Sequence, residues 1–263
     1  GFRRASAVGA RLGALGYRPL GMRRPVVERQ LRAAFPEWNA ARVAAVARGA
    51  YESLGRTFIE TAVLPSYSRE QVLGLFERVD NWAAVDAARA HGRGLILLTG
   101  HIGNWELGGA YLAARGVPLD AVARGMQNPL FDAYLTRTRE RIGMHVVHDA
   151  DAVRQVPRAL RAGRAVAFLF DQGAVGLAST WVPFFGRMAK TPRGPAVFAL
   201  RLDTPMVFGA AIRQPSGRFA ISFEPVHTVR TGDRDADVDA MVAAYTAVLE
   251  RWVRRVPEQY FWH

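Results

Sequence analysis

Apolar positions recur every three or four residues through the first ninety positions, and each such run has a recognisable edge. Residues 23–35 (RRPVVERQLRAAF) form one helical pattern, and residues 39–64, after a Pro-Glu-Trp break, form a longer one. Residues 68–76 (SREQVLGLF) predict a third helix with Ser68 as N-cap, and residues 81–92 a fourth that ends on Gly92. From there the pattern changes to short apolar runs alternating with helical stretches, which signals an α/β arrangement. Strands are predicted at 95–100, 119–124, 144–149, 165–171, 205–213 and 219–226, and helices at 104–115, 130–142 and 151–162. A further helix is expected to begin at Thr191, with threonine as N-cap and Pro192 at the first helical position. Gln-Pro-Ser-Gly at 214–217 predicts a hairpin turn, and residues 235–256 a strongly amphipathic last helix.

The expected fold class is α/β: a central mixed sheet flanked by helices, preceded by an N-terminal helical segment. One domain spanning 1–263 is expected, helical over 1–90 and with an α/β core over 91–263. No repeat or low-complexity linker interrupts it.

Composition narrows the chemistry. Cysteine is absent from the 263 residues, which excludes a disulfide framework, a thiolate nucleophile and cysteine-based metal centres. Thirty-five Lys and Arg against 23 Asp and Glu give a formal charge of +12, so a polyanionic partner is favoured: phospholipid head groups, nucleic acid or an acidic protein. A nucleic-acid reader would need arginines interleaved with exposed aromatics or a known reading motif, and neither occurs. No stretch reaches the roughly 18–20 apolar residues of a membrane-spanning helix. Residues 1–24 mix arginines with small and apolar residues, as an interfacial segment or the interior of a longer protein would.

His101 and Glu106 stand where the first predicted strand gives way to a helix. On a continuous helix a five-residue spacing would turn the two side chains about 140° apart. With His101 on the turn and the helix starting near Asn104, the imidazole can fold back to the carboxylate, and Gly100 and Gly103 supply backbone freedom. Asn104 suits the N-cap. A histidine held by an acid is a general base, and no serine or cysteine adjoins it, so the proton removed is expected to come from a substrate hydroxyl. A histidine that merely caps or pairs in a turn is the plain alternative. Arg124, and Arg137, Arg139 and Arg141 on the following helix, suit phosphate recognition or a solvated basic face. Asp171 and Gln172 end a strand where α/β sites assemble, and Lys190 and Thr191 precede a helix start that can hold an anion.

The stretches TGHIGNWE, NPLFDAYLTRTRERIG, FLFDQ, VPFFGRMAKTPRGPAVFALR and PEQYFW, in that order, resemble the bacterial lipid A biosynthesis acyltransferases. The resemblance runs from about residue 33 to the end. It implies a glycerolipid-acyltransferase-like fold and transfer of a fatty acyl group from acyl carrier protein to a hydroxyl of an anionic glycolipid, such as a lipid A precursor, at the cytoplasmic face of the inner membrane. Attachment there is expected to be peripheral or through a segment missing from this chain. The related mannoside acyltransferases, which use acyl-coenzyme A, share the pattern. By resemblance His101 and Glu106 are catalytic, and Arg139, Arg124 and Asp171 bind substrate; from their places at strand ends and helix starts, Asn104, Gln172, Lys190 and Thr191 are expected to bind substrate as well. No metal, cofactor or nucleic-acid partner is expected.

Overall fold

A computed structural model describes residues 1–125, 128–173 and 176–263. The chain opens with α1 (Phe2–Tyr17), α2 (Arg24–Ala34) and α3 (Ala40–Val63), then α4 (Arg69–Gly74), β1 (Phe76–Asp80) and α5 (Trp82–Ala90). Next come β2 (Leu95–Thr99), α6 (Trp105–Ala114), β3 (Leu119–Ala123), α7 (Pro129–Arg141), β4 (Met144–His148), α8 (Ala152–Arg161) and β5 (Ala165–Leu169). The last part holds a hairpin of β6 (Ser179–Phe184) and β7 (Arg187–Pro192), then α9 (Gly194–Leu202), β8 (Met206–Arg213), β9 (Phe219–Val226) and α10 (Arg234–Arg255).

Seven strands form one sheet in the order β1-β9-β8-β2-β5-β3-β4. From β8 to β4 neighbours run parallel, whereas β9 is antiparallel to β8 and β1 is parallel to β9. The mixed sheet flanked by helices agrees with the expected class. Four of the five residues of β2 are buried, as a central parallel strand requires. Two apolar layers cover the sheet. Leu98, Phe170 and Phe208 pack on one face with Tyr245 and Leu249 of α10 and Leu31 of α2. On the other, Leu97, Phe219 and Phe223 pack with Leu107 and Tyr111 of α6.

Two sequence expectations need correction. The helix from Ser68 stops at Gly74, and residues 76–80 become an edge strand on β9. Its Ser68 does form the expected cap, with a reciprocal bond from Gln71. The aromatic stretch before residue 191 is the β6–β7 hairpin, turned at Phe185 and Gly186. Thr191 is therefore a buried strand residue opposite Thr180, and the helix begins at Gly194 with Arg193 at the cap.

The N-terminal helix packs on α3 through glycine. Its buried positions include Gly9 and Gly16, and a Cβ on Gly9 or Gly13 would collide with the backbone of Gly55 or Tyr51. The opposite side of α1 carries Val8, Leu12 and Leu15, all about half exposed, beside Arg4 and Arg11. Gly13→Ala should force the helices apart and cost about 1–3 kcal/mol, read as a lower urea midpoint; an unchanged midpoint would mean that α1 contributes little to the fold.

Candidate active site

β2 and β5 are hydrogen-bonded neighbours whose register pairs Leu95 with Ala165 and Thr99 with Leu169. Continued two residues beyond both strands, that offset sets His101 opposite Asp171. The side chains meet there: His101 Nδ1 lies 2.7 Å from Asp171 Oδ1, and the His101 backbone N–H donates to Asp171 Oδ2 at 2.7 Å. One carboxylate thus holds both the ring and the loop that carries it. Asp171 is nearly sealed, with 3% of its side chain exposed, whereas His101 keeps 18%. An ionised Asp171 requires the Nδ1 proton, which leaves Nε2 with a free lone pair.

The expected contact between His101 and Glu106 is not formed. Glu106 points into a buried pair with Arg139 of α7, whose Nε and Nη2 donate at 3.1 and 2.5 Å. Burial works against the Arg139 charge, but the hydrogen bonds and charge of Glu106 outweigh it and hold the guanidinium above its usual pKa. The physical reason for the changed partner is rotation. Asn104 caps α6 by accepting from the Leu107 N–H at 2.9 Å, so Glu106 falls in the first turn and faces α7.

Asn104 is turned into the fold and has no surface for a substrate to reach. It is fully buried, and its Nδ2 donates to Glu60 of α3 at 2.8 Å. Glu60, also fully buried, takes a second bond from Arg213 Nη2 at 2.5 Å, so α3, β8 and the His101 loop share one polar knot. The loop is clamped further by the C-terminal segment: the Gly103 N–H donates to Gln259, and the Phe261 N–H to the His101 carbonyl. Gly103 has φ +61°, and a Cβ there would strike the Ala211 carbonyl, so only glycine fits comfortably.

The backbone N–H groups of His101, Ile102, Gly103 and Asn104 all have acceptors, namely Asp171, Gly100, Gln259 and Ala211, so none of them is free to donate to a reacting oxygen. In the first turn of α6 the N–H groups of Trp105 and Glu106 have no acceptor among the described residues.

Tyr260 is a site residue that sequence reasoning missed. Burial first, and then the charge and hydrogen bonding of Asp171, push its phenol well above the normal pKa. Its only sequence signal was its place in PEQYFW. Phe261 and Trp105 wall the imidazole, with ring centroids 5.7 and 4.9 Å from it. Beside them is a shallow cleft of about 10 Å3, lined by His101, Trp105, Phe261 and the α3 residues Ser53, Leu54 and Thr57.

The remaining candidates are dispersed. Arg124 is exposed just beyond β3, Gln172 is exposed next to Asp171, and Lys190 is exposed on β7. Arg137 and Arg141 share α7 with Arg139, but the carboxylate pair forms only at Arg139. Among the described residues no group of three or more His, Asp or Glu side chains is placed to hold a metal ion.

The chain is 25% identical over 256 residues to a lipid A biosynthesis palmitoleoyltransferase of Escherichia coli K12, covering 97% of this chain and 82% of the relative. A lauroyltransferase of lipid A biosynthesis from the same organism is 25% identical over 257 residues, with the same coverage. A phosphatidylinositol mannoside acyltransferase of Mycobacterium tuberculosis H37Rv is 28% identical over 154 residues, 57% of this chain and 48% of the relative. The family profile described as bacterial lipid A biosynthesis acyltransferase matches residues 1–263, and the chain belongs to that family of acyltransferases.

Proposed function

We propose that the protein transfers a fatty acyl group from acyl carrier protein to a hydroxyl of an anionic membrane glycolipid of the lipid A precursor type, with His101 as general base. The observation that carries this reading is the 2.7 Å contact from His101 Nδ1 to a nearly sealed Asp171, with His101 lining a cleft. Nε2 takes the proton of the acceptor hydroxyl as its oxygen attacks the thioester carbonyl. The tetrahedral intermediate then expels the carrier thiolate, which leaves as thiol with the proton from the imidazolium. An ester forms, a thioester breaks, and the dyad returns to its starting state. Asp171 stabilises the imidazolium between the two steps.

Several features support the supporting roles. The free N–H groups of Trp105 and Glu106, at the positive end of α6, are the oxyanion donors. Glu106 and Arg139 fix that helix start, and the guanidinium edge that Glu106 does not occupy receives an anionic group of the acceptor. The cleft is smaller than the roughly 300–1,000 Å3 of usual ligand sites, so an acyl chain must leave it across neighbouring apolar surface. Phe58, one turn beyond Leu54 on α3, and Leu130 and Tyr134 on α7 are exposed along such a path, with the Tyr134 hydroxyl reaching the Ala62 carbonyl of α3. The net charge of +12 and the exposed apolar side of α1 support work at the cytoplasmic face of an anionic membrane.

The test is mass spectrometry of membrane glycolipids from cells with the intact gene, with it deleted, and with the deletion complemented by His101→Ala. One acyl mass should vanish on deletion and stay absent with the variant. Unchanged glycolipids in the deletion strain contradict the reading. Purified protein offered the same acyl group on carrier protein or on coenzyme A then decides the donor.

A further inference from the structure

We propose that the outward face of the β6–β7 hairpin rests on the surface of an anionic phospholipid bilayer and holds the open end of the His101 site against it. The proposal deepens the membrane-glycolipid reading above and rests on it for its purpose.

Alternation along the two strands sorts their side chains. Val182 and Thr191 point inward and are buried, while Trp181, Pro183, Met188 and Lys190 are exposed on the other face. Trp181 stands opposite Lys190 and Pro183 opposite Met188, which makes Trp181 and Met188 diagonal neighbours on one surface. Trp181 is 62% exposed and Met188 58%, and Leu177 at the foot of the hairpin adds another 41% exposed apolar residue. A surface tryptophan without a ring, cation or hydrogen-bond partner among the described residues costs hydration and gains nothing in the isolated protein.

The face is also built rigidly. Its inner side is pinned to α10 by the Tyr245 hydroxyl donating to the Pro192 carbonyl at 2.6 Å, by the Phe185 N–H donating to Glu250 at 2.7 Å, and by Thr180 bonded to Asp239 at 2.5 Å. No acidic residue occurs between positions 172 and 193. Arg193 is paired with Asp235 and Asp239, but Lys190, opposite Trp181 on the outward face, has no ion pair among the described residues. An amphipathic aromatic ring, a flexible thioether and an uncompensated cation suit the head-group boundary of a negatively charged bilayer, where tryptophan is enriched and basic side chains meet phosphate. Position supplies the link to the site. A Cβ on Gly173, two residues after Asp171, would meet the Lys190 carbonyl at 3.4 Å, and the Phe184 ring lies 6.5 Å from Tyr260.

The test uses the whole protein with sedimented vesicles of phosphatidylcholine alone or mixed with phosphatidylglycerol. Trp181→Ser with Met188→Ser should lower partition onto the mixed vesicles at least tenfold and leave turnover on a detergent-dispersed acceptor near that of the unaltered protein. Lys190→Gln should lower the preference for the anionic vesicles, and a brominated phosphatidylglycerol should quench a fluorescence component that Trp181→Phe lacks. His101→Ala should bind vesicles normally without turnover, so failure of the catalytic reading is told apart from failure of this one. Unchanged partition of the double variant overturns the proposal. So does unchanged partition joined to a several-fold higher KM for carrier-bound donor, which would assign the face to an acidic carrier protein.

Discussion

Asp171→Asn should lower the acyl-transfer rate by a factor on the order of a thousand to ten thousand while leaving the fold intact. The asparagine is nearly isosteric, and its amide oxygen can still accept the His101 backbone N–H that Asp171 Oδ2 accepts at 2.7 Å. That bond directs the amide NH2 toward Nδ1, where the aspartate oxygen lies at 2.7 Å. Facing a donor, Nδ1 must become the acceptor, and the ring proton moves to Nε2, the atom that has to receive the proton of the hydroxyl. His101→Ala should cost a similar factor because the base itself is gone. Stability should fall little in either variant, and circular dichroism melts beside the kinetics separate loss of chemistry from loss of fold. Near-normal turnover in Asp171→Asn would remove the dyad from the mechanism.

Arg139→Ala should be the most damaging change to stability. It leaves Glu106, of which 9% of the side chain is exposed, without the guanidinium that binds both its oxygens. Breaking a buried pair on one side costs about 3–5 kcal/mol, because the remaining charge stays desolvated. In a chain of this size that corresponds to a fall in Tm on the order of 10 °C. Arg139→Met joined to Glu106→Leu should restore most of the Tm, since both charges then go. Turnover should not return, because the guanidinium edge meant for the acceptor is still missing. If the double variant regains both, the pair is structural only.

The positions of the central strands were largely legible because buried parallel strands are continuous apolar runs. Residues 95–100, 119–124, 144–149 and 165–171 each end within two residues of an observed strand. Two elements were not. The segment 76–80 carries Glu77, Arg78 and Asp80 on an edge strand with little buried surface, so neither period stands out. The hairpin at 179–192 holds Pro183 and Pro192 and turns on Gly186, signals that read as a loop and a helix start.

The site was legible in part, for a similar reason. A strand feeding into a histidine, a glycine and an N-cap asparagine is a local signal, and the structure has His101 on the turn and Asn104 at the cap. Partnership is not local. Glu106 is five residues from His101 in sequence and turns to α7, whereas Asp171, seventy residues away, reaches it through the register of β2 and β5. Strand adjacency could not be deduced from the order of elements, because β5 inserts between β2 and β3. The knot of Glu60, Asn104 and Arg213 was hidden likewise, each member coming from a different layer.

The most direct measurement is the single-turnover rate of acyl transfer in His101→Ala, Asp171→Asn and the variant carrying both, against the unaltered protein. If the two residues act as one base, the double variant should be no slower than His101→Ala alone, since groups that work as a unit lose their effect only once. Rate losses that multiply in the double variant would show independent roles and contradict the dyad.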